Sequence, residues 1–301
     1  MNTPPIGRHY DIDGRALAAD RAGNGTPSLV ILPGAGMIGL DFWNIHHAAA
    51  AFTTSFLYDR AGTGWSERPT AWPPGAAETA RDLAALLRTA EVPAPYVLLG
   101  HSLGGAYARR FAQLYPDDVA GMVLLEPAHE DWNVHMPEHL RIQEDPGART
   151  AERLEAALPE ITEELIARFR AVFTRMYADW PDDLRELVVA RHLDPALLAV
   201  NMQENATLPA VLAELRAGGP VPDVPTVYLT GMAIDPGQAL TLPEPVLAEQ
   251  NAAKLKLFAA AAAAAPQGEH RVLDDAGHSA IHTDRPDAVL AAIRDVLARA
   301  R

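Results

Sequence analysis

An α/β architecture with a mostly parallel central sheet, helices on both faces and one helical insertion is predicted by three observations. Short β-rich runs alternate with helical patterns, six of those runs are apolar enough to be buried, and one long stretch shows helical periodicity with no convincing strand. The elements follow in order. Asp13-Gly14, between Arg8–Ile12 and Arg15–Arg21, reads as the turn of an opening β-hairpin. Ser28–Leu32 (SLVIL), Ser55–Tyr58 (SFLY), Tyr96–Leu99 (YVLL), Gly121–Leu125 (GMVLL), Thr226–Thr230 (TVYLT) and Arg271–Asp274 (RVLD) are the buried strand candidates. The helical stretch, about 130 to 224, is far longer than an ordinary connection. It divides the chain into a core of residues 1–129 and 225–301 and a helical cap of 130–224. Pro222 and Pro225 cannot continue a helix and mark the return into the sheet. The alanine run Ala259–Ala265 is a good helix former and is too short to span a bilayer.

Composition narrows the chemistry. With 301 residues, 49% of them hydrophobic, the chain can bury a large core. Its 25 basic and 39 acidic residues give a formal charge of −14, which repels nucleic-acid phosphates and anionic lipid, so neither nucleic acid nor membrane is expected as a partner. There is no cysteine, which excludes disulfides, thiolate metal sites and a thiol nucleophile, so any covalent chemistry needs another residue. The N-terminal MNTPPIGRHYDIDG lacks the apolar core of a signal peptide, and the expected location is cytoplasmic.

Gly34-Ala35-Gly36-Met37-Ile38-Gly39 follows the first buried strand and satisfies GxGxxG, with Asp59 placed 20 residues after Gly39 as a ribose partner would be. The same residues read equally well as a tight turn presenting backbone N–H groups to a reacting oxygen. Elsewhere in the chain, Gly100-His101-Ser102-Leu103-Gly104 lies between a strand and a helical segment, the context required of a GxSxG nucleophile elbow. Glycines flanking the serine allow strand and helix to pack closely, and the serine hydroxyl is left exposed at a helix N-terminus with the Leu103 N–H beside it.

Tyr58–Glu67 (YDRAGTGWSE), GHSLGG and Val123–Asp131 (VLLEPAHED) together resemble α/β-hydrolase fold enzymes of the esterase-like group, over about Ser28 to Arg294. The resemblance implies the α/β-hydrolase fold, assigns Asp59 and Arg60 to a structural turn, and makes Ala35, or alternatively Gly36, the second oxyanion donor beside Leu103. It also implies that the base is His278, just past the last strand. His101 is expected to pack under the elbow, and most of the remaining histidines to be solvated. His135 and His139 lack an HExxH context or a third ligand, so no metal is expected, and no cofactor.

Two carboxylates compete as the partner of His278. Asp235 follows TVYLT near the usual position of the fold, although its spacing from Gly231 is one residue longer than the common GxxD. Glu126 ends the strand after the elbow helix, 24 positions past Ser102, as in haloalkane dehalogenases and some lactone hydrolases of this fold. A carboxylate in the apolar context VLLEP needs a cationic or hydrogen-bonding partner, whereas Asp235-Pro236 is an ordinary turn starter. Glu126 is therefore preferred.

The reading is a cofactor-independent serine hydrolase of carboxylic esters or lactones, with a large hydrophobic or macrocyclic ester as the expected substrate class. Trp132, Met136, Phe173 and Tyr177 are the candidate pocket residues of the cap, although such stripes are more often core. The same constellation serves acyl transfer and C–C hydrolysis. A ligand receptor on this scaffold and, resting on GAGMIG, an NAD-dependent oxidoreductase are the rival classes.

Overall fold

The computed structural model describes residues 5–69, 72–142 and 162–300. Eight strands form one sheet in the order β1-β2-β4-β3-β5-β6-β7-β8. They are β1 Arg8–Ile12, β2 Arg15–Ala22, β3 Ser28–Leu32, β4 Ser55–Tyr58, β5 Tyr96–His101, β6 Val119–Leu125, β7 Thr226–Gly231 and β8 Gly268–Leu273. β1 pairs antiparallel with β2, and β2 antiparallel with β4; the remaining neighbours are parallel. Asp13 and Gly14 both have positive φ, 52° and 79°, as a two-residue hairpin loop that matches strand twist requires.

Side chains alternate between the faces of each strand, and the central strands are buried on both. Val30, Leu32, Phe56, Leu98, Met122 and Leu124 face one core with the helices Ala76–Thr89, Leu103–Leu114 and Glu244–Ala264. Leu29, Ile31, Leu57, Val97, Leu99 and Val123 face the other with Trp43–Ala49 and Pro286–Arg299. The long helical patterns of the sequence are these covering layers.

One strand departs from expectation. Of β8 only Leu273 is buried, and Val272 is 44% exposed. The expected strand Arg271–Asp274 lies at the sheet edge and begins earlier, at Gly268, because pairing with β7 from Thr226↔Gly268 onward sets its extent.

Between β6 and β7 the described residues form helices, chiefly Glu163–Met176, Asp182–His192, Pro195–Ala206 and Leu208–Ala217; the part of the helical reading over 143–161 lies outside the described residues. Their apolar residues extend both cores. Val211, Leu212 and Leu215 join the first, while Tyr177, Trp180, Val188 and Leu197 join the second. No described helix is long and apolar enough to cross a membrane.

Candidate active site

Strand β5 turns into the helix Leu103–Leu114 through Ser102, whose backbone takes φ 50° and ψ −120°. A non-glycine residue held there stores strain, sustained by packing on every side. A Cβ at Gly104 would run into the carbonyl oxygens of Leu32 and Pro33, and one at Gly100 into the Gly105 backbone. The Ser102 carbonyl accepts hydrogen bonds from the N–H groups of Gly105 (3.0 Å) and Ala128 (2.8 Å), which fixes the turn. The Leu103 N–H opens the helix, where donors have no intrahelical acceptor.

His278 follows β8 and brings Nε2 to 3.2 Å from Ser102 Oγ, while its Nδ1 lies 2.6 Å from Glu126 Oε2. A carboxylate only accepts, so Nδ1 carries the proton and Nε2 is left as the acceptor facing the serine hydroxyl. Glu126, at φ 42° just past β6, is buried. Its Oε1 accepts the Gly231 N–H at 2.9 Å, and its Oε2 also accepts from Lys254 Nζ at 2.7 Å. Burial pushes the Glu126 carboxyl up, but the Lys254 charge and the His278 contact outweigh it and hold the group below the ordinary range.

Asp235, the competing acid, faces elsewhere. Its carboxylate accepts from the Ser279 N–H (2.5 Å), the Ser279 hydroxyl (3.1 Å) and the Gln238 N–H (2.7 Å). It pins the residue after His278 and caps a turn, consistent with the turn-starter reading.

The loop after β3 is clamped from both sides. Arg60 donates to the Pro33 (2.6 Å) and Gly34 (2.7 Å) carbonyls and pairs with Glu204, whose Oε2 accepts the Gly36 N–H at 2.7 Å. Burial opposes the Arg60 charge, and the Glu204 carboxylate more than compensates, raising it. Gly36 is thereby corrected as an oxyanion donor, because its N–H is engaged. Ala35 differs: among the described residues nothing accepts from its N–H. Across a trans peptide that N–H points opposite to the Gly34 carbonyl, away from the guanidinium.

A family model described as the alpha/beta hydrolase family matches residues 29–292. The chain belongs to the alpha/beta hydrolase family. Solved structures share its fold across nearly its whole length. A thermophilic esterase from Thermogutta terrifontis is 22% identical, with 97% of each chain covered and a TM-score of 0.60. Est816, titled an N-acyl homoserine lactone degrading enzyme, is 19% identical, covering 95% of this chain and 99% of its own, at 0.59. The epoxide hydrolase CorEH is 19% identical, covering 98% and 99%, at 0.67. The chain spans between 12% and 37% of the length of curated relatives it matches.

In this alpha/beta hydrolase the GxGxxG motif is accounted for without a nucleotide. Asp59, the would-be ribose partner, is fully buried and accepts from the Gly39 (2.7 Å) and Trp65 (2.8 Å) N–H groups. Burial pushes its carboxyl up to about 6, against the pull of those two hydrogen bonds.

The proposed pocket residues divide. Tyr177 is 1% and Met136 2% exposed, and the Tyr177 hydroxyl donates to Asp41 Oδ1 at 2.7 Å, an oxygen that His192 Nε2 also approaches at 2.7 Å. Tyr177 is core and not a pocket wall, because the apolar stripe of its helix packs onto the sheet's second core; Met136 is buried at the end of the short helix Trp132–His135. Trp132 and Phe173 keep partial exposure; Trp132 donates to the Leu140 carbonyl, and Phe173 stacks on His192 at 4.3 Å. Among the described residues none of the four is hydrogen-bonded or ring-stacked to Ser102, Glu126 or His278.

The histidines expected in solvent are also corrected in part. His46, His129, His192 and His282 are buried. Burial pushes His129 and His282 down to about 4, and His282 stacks on Phe42 at 4.3 Å. His101 is buried and donates its Nε2–H to the His278 carbonyl at 2.8 Å. Sequence reasoning missed Lys254, Glu204 and the second role of Arg60. A lysine in an alanine-rich helical pattern is a weak signal, and the Glu204 contacts join residues 144 and 168 positions apart.

Proposed function

We propose that the protein is a serine hydrolase that cleaves carboxylic esters or lactones through an acyl-enzyme. The observation that carries this reading is the hydrogen-bonded series Ser102 Oγ, His278, Glu126, with separations of 3.2 and 2.6 Å. Ser102 Oγ attacks the carbonyl carbon as His278 Nε2 takes its proton, and Glu126 stabilises the imidazolium that forms. The carbonyl oxygen becomes an oxyanion received by the Leu103 and Ala35 N–H groups, donors already oriented before the reaction. Collapse expels the alcohol with the proton from His278. A water then delivers its proton to His278 and its oxygen to the acyl carbon, freeing the acid and Ser102. In a lactone the alcohol and acid leave as one hydroxy acid. The elbow carries serine, so an aspartyl-ester route is not available to it. The test is turnover of a graded panel of p-nitrophenyl esters and lactones by the wild type and by Ser102→Ala.

Hydrolysis is expected to decline as the pH falls, because a proton on His278 Nε2 removes the acceptor for the serine hydroxyl. The check is kcat/KM measured from about pH 5 to about pH 8; a flat profile counts against His278 as base.

The described helices between β6 and β7 act, on this reading, as a cap that selects substrate while the triad stays on the sheet. Alanine at Trp132 or Phe173 is expected to change the preference among bulky esters by about tenfold and the rate on an acetate ester by less, as lost apolar contact of one side chain implies. Kinetics on the two ester sizes decides it, and equal losses on both would assign these rings to the fold. Tyr177→Ala, by contrast, should lower Tm, since it empties core volume and strips a partner from buried Asp41.

A further inference from the structure

The Glu126 carboxylate has a third party that the serine mechanism does not require. Lys254, on the helix Glu244–Ala264, is only 2% exposed, and its ammonium lies 2.7 Å from the same Oε2 that His278 Nδ1 approaches at 2.6 Å. Of the chain's 25 basic residues only Lys254 and Lys256 are lysines. The exposed Lys256 faces solvent, while Lys254 is spent on a buried carboxylate. The placement of Lys254 does two things. With the Gly231 N–H on Oε1, it fixes the carboxylate so that Oε2 faces the imidazole. It also neutralises the carboxylate before the reaction, so that a proton arriving at the Glu126–His278 pair meets a pair already balanced by one cation.

We propose that Lys254 is a positioning residue of this site, one that keeps Glu126 ionised and aimed and keeps His278 free to act as base in mildly acidic solution. The proposal rests on the serine-hydrolase reading above. Its sign follows from charge. Glu126 attracts a proton to His278, and Lys254 opposes that proton through the shared oxygen. Without Lys254 the buried carboxylate is uncompensated, and the first proton enters the pair at higher pH, whichever of the two groups holds it. The other groups around His278 do not supply this balance. His101, its ring 4.9 Å away, is kept neutral by burial. His282 lies 6.3 Å beyond His101 and is pushed down to about 4. Asp235 is turned to Ser279 and Gln238, and Asp284 to the Gly277 N–H.

The experiment follows the rate of Ser102 phosphonylation by a fluorophosphonate against pH, a readout that needs no knowledge of the substrate. In Lys254→Met and Lys254→Gln the acid limb is expected to move to higher pH by about one unit or more, the effect of losing one charge at such a distance. In Lys254→Arg, which keeps the charge, and in Lys256→Met it should stay within a few tenths of a unit of the wild type. The glutamine variant retains a hydrogen-bond donor to Oε2, so the limb can be read even where the methionine variant loses its fold. Neutral variants that label more slowly by the same factor at every pH, with the limb in place, overturn the proposal and leave Lys254 as structural support. Absence of labelling at Ser102 in the wild type is a different result, and it removes the serine assignment itself.

Discussion

Ser102→Ala is expected to abolish both covalent capture by a fluorophosphonate and turnover of p-nitrophenyl esters, with a fall in kcat on the order of 10⁵ to 10⁶, the loss that follows removal of a nucleophile from a linked triad. The substitution deletes one oxygen and leaves the elbow otherwise intact. The strain at φ 50° stays, and so do the hydrogen bonds to the residue 102 carbonyl from Gly105 and Ala128. Circular dichroism and Tm should therefore match the wild type, making the kinetic loss chemical. On the serine-hydrolase reading, the base and oxyanion donors proposed to activate Ser102 toward an ester would activate it toward the phosphonate as well. Mass mapping of the labelled wild type should find one modified peptide, containing Ser102. A Ser102→Ala variant that still hydrolyses esters, or label on another serine of the folded protein, defeats the serine-hydrolase reading and favours a ligand-binding protein built on this fold.

How far the sequence carries the fold and the site depends on whether a residue's partner is local. SLVIL, YVLL and TVYLT are short apolar runs bounded by turn residues, and each emerges as a buried central strand because only a sheet covered on both faces can bury them. GHSLGG is legible because its glycines are demanded by packing within a few residues of the serine. β8 was harder: residues His270 and Arg271 contribute little apolar signal, and pairing with β7 extends the strand beyond its apolar part. The cap stripe was ambiguous in a different way. Periodicity shows that Tyr177 and Phe173 share a helix face but not what that face meets, and Asp41, which holds the Tyr177 hydroxyl, is 136 positions away. Lys254 and Glu204 were invisible for the same reason. Each is an unremarkable residue in a helical pattern, and the charge it neutralises is brought to it only by the completed fold.

Glu126→Gln is expected to lower kcat by about 10³ to 10⁴, the cost of letting the imidazole adopt the wrong tautomer and removing the charge that stabilises the imidazolium. Asp235→Asn should cost about tenfold or less, because that carboxylate holds the Ser279 and Gln238 N–H groups and only steadies the loop next to His278. Amides are nearly isosteric with the acids, so packing is preserved and the readout concerns charge and hydrogen bonding. One side effect must be separated. Glu126→Gln leaves Lys254 buried without its counter-ion, a loss of about 3 to 5 kcal/mol when one partner of a buried pair is removed. The double variant Glu126→Gln with Lys254→Met takes both charges away, so it should recover most of the lost Tm while remaining as inactive as the single variant. Stability and catalysis then come apart. A double variant that regains activity together with Tm would mean that Glu126 merely balances Lys254. An Asp235→Asn enzyme crippled beside a near-normal Glu126→Gln would transfer the acid's role to the position after β7.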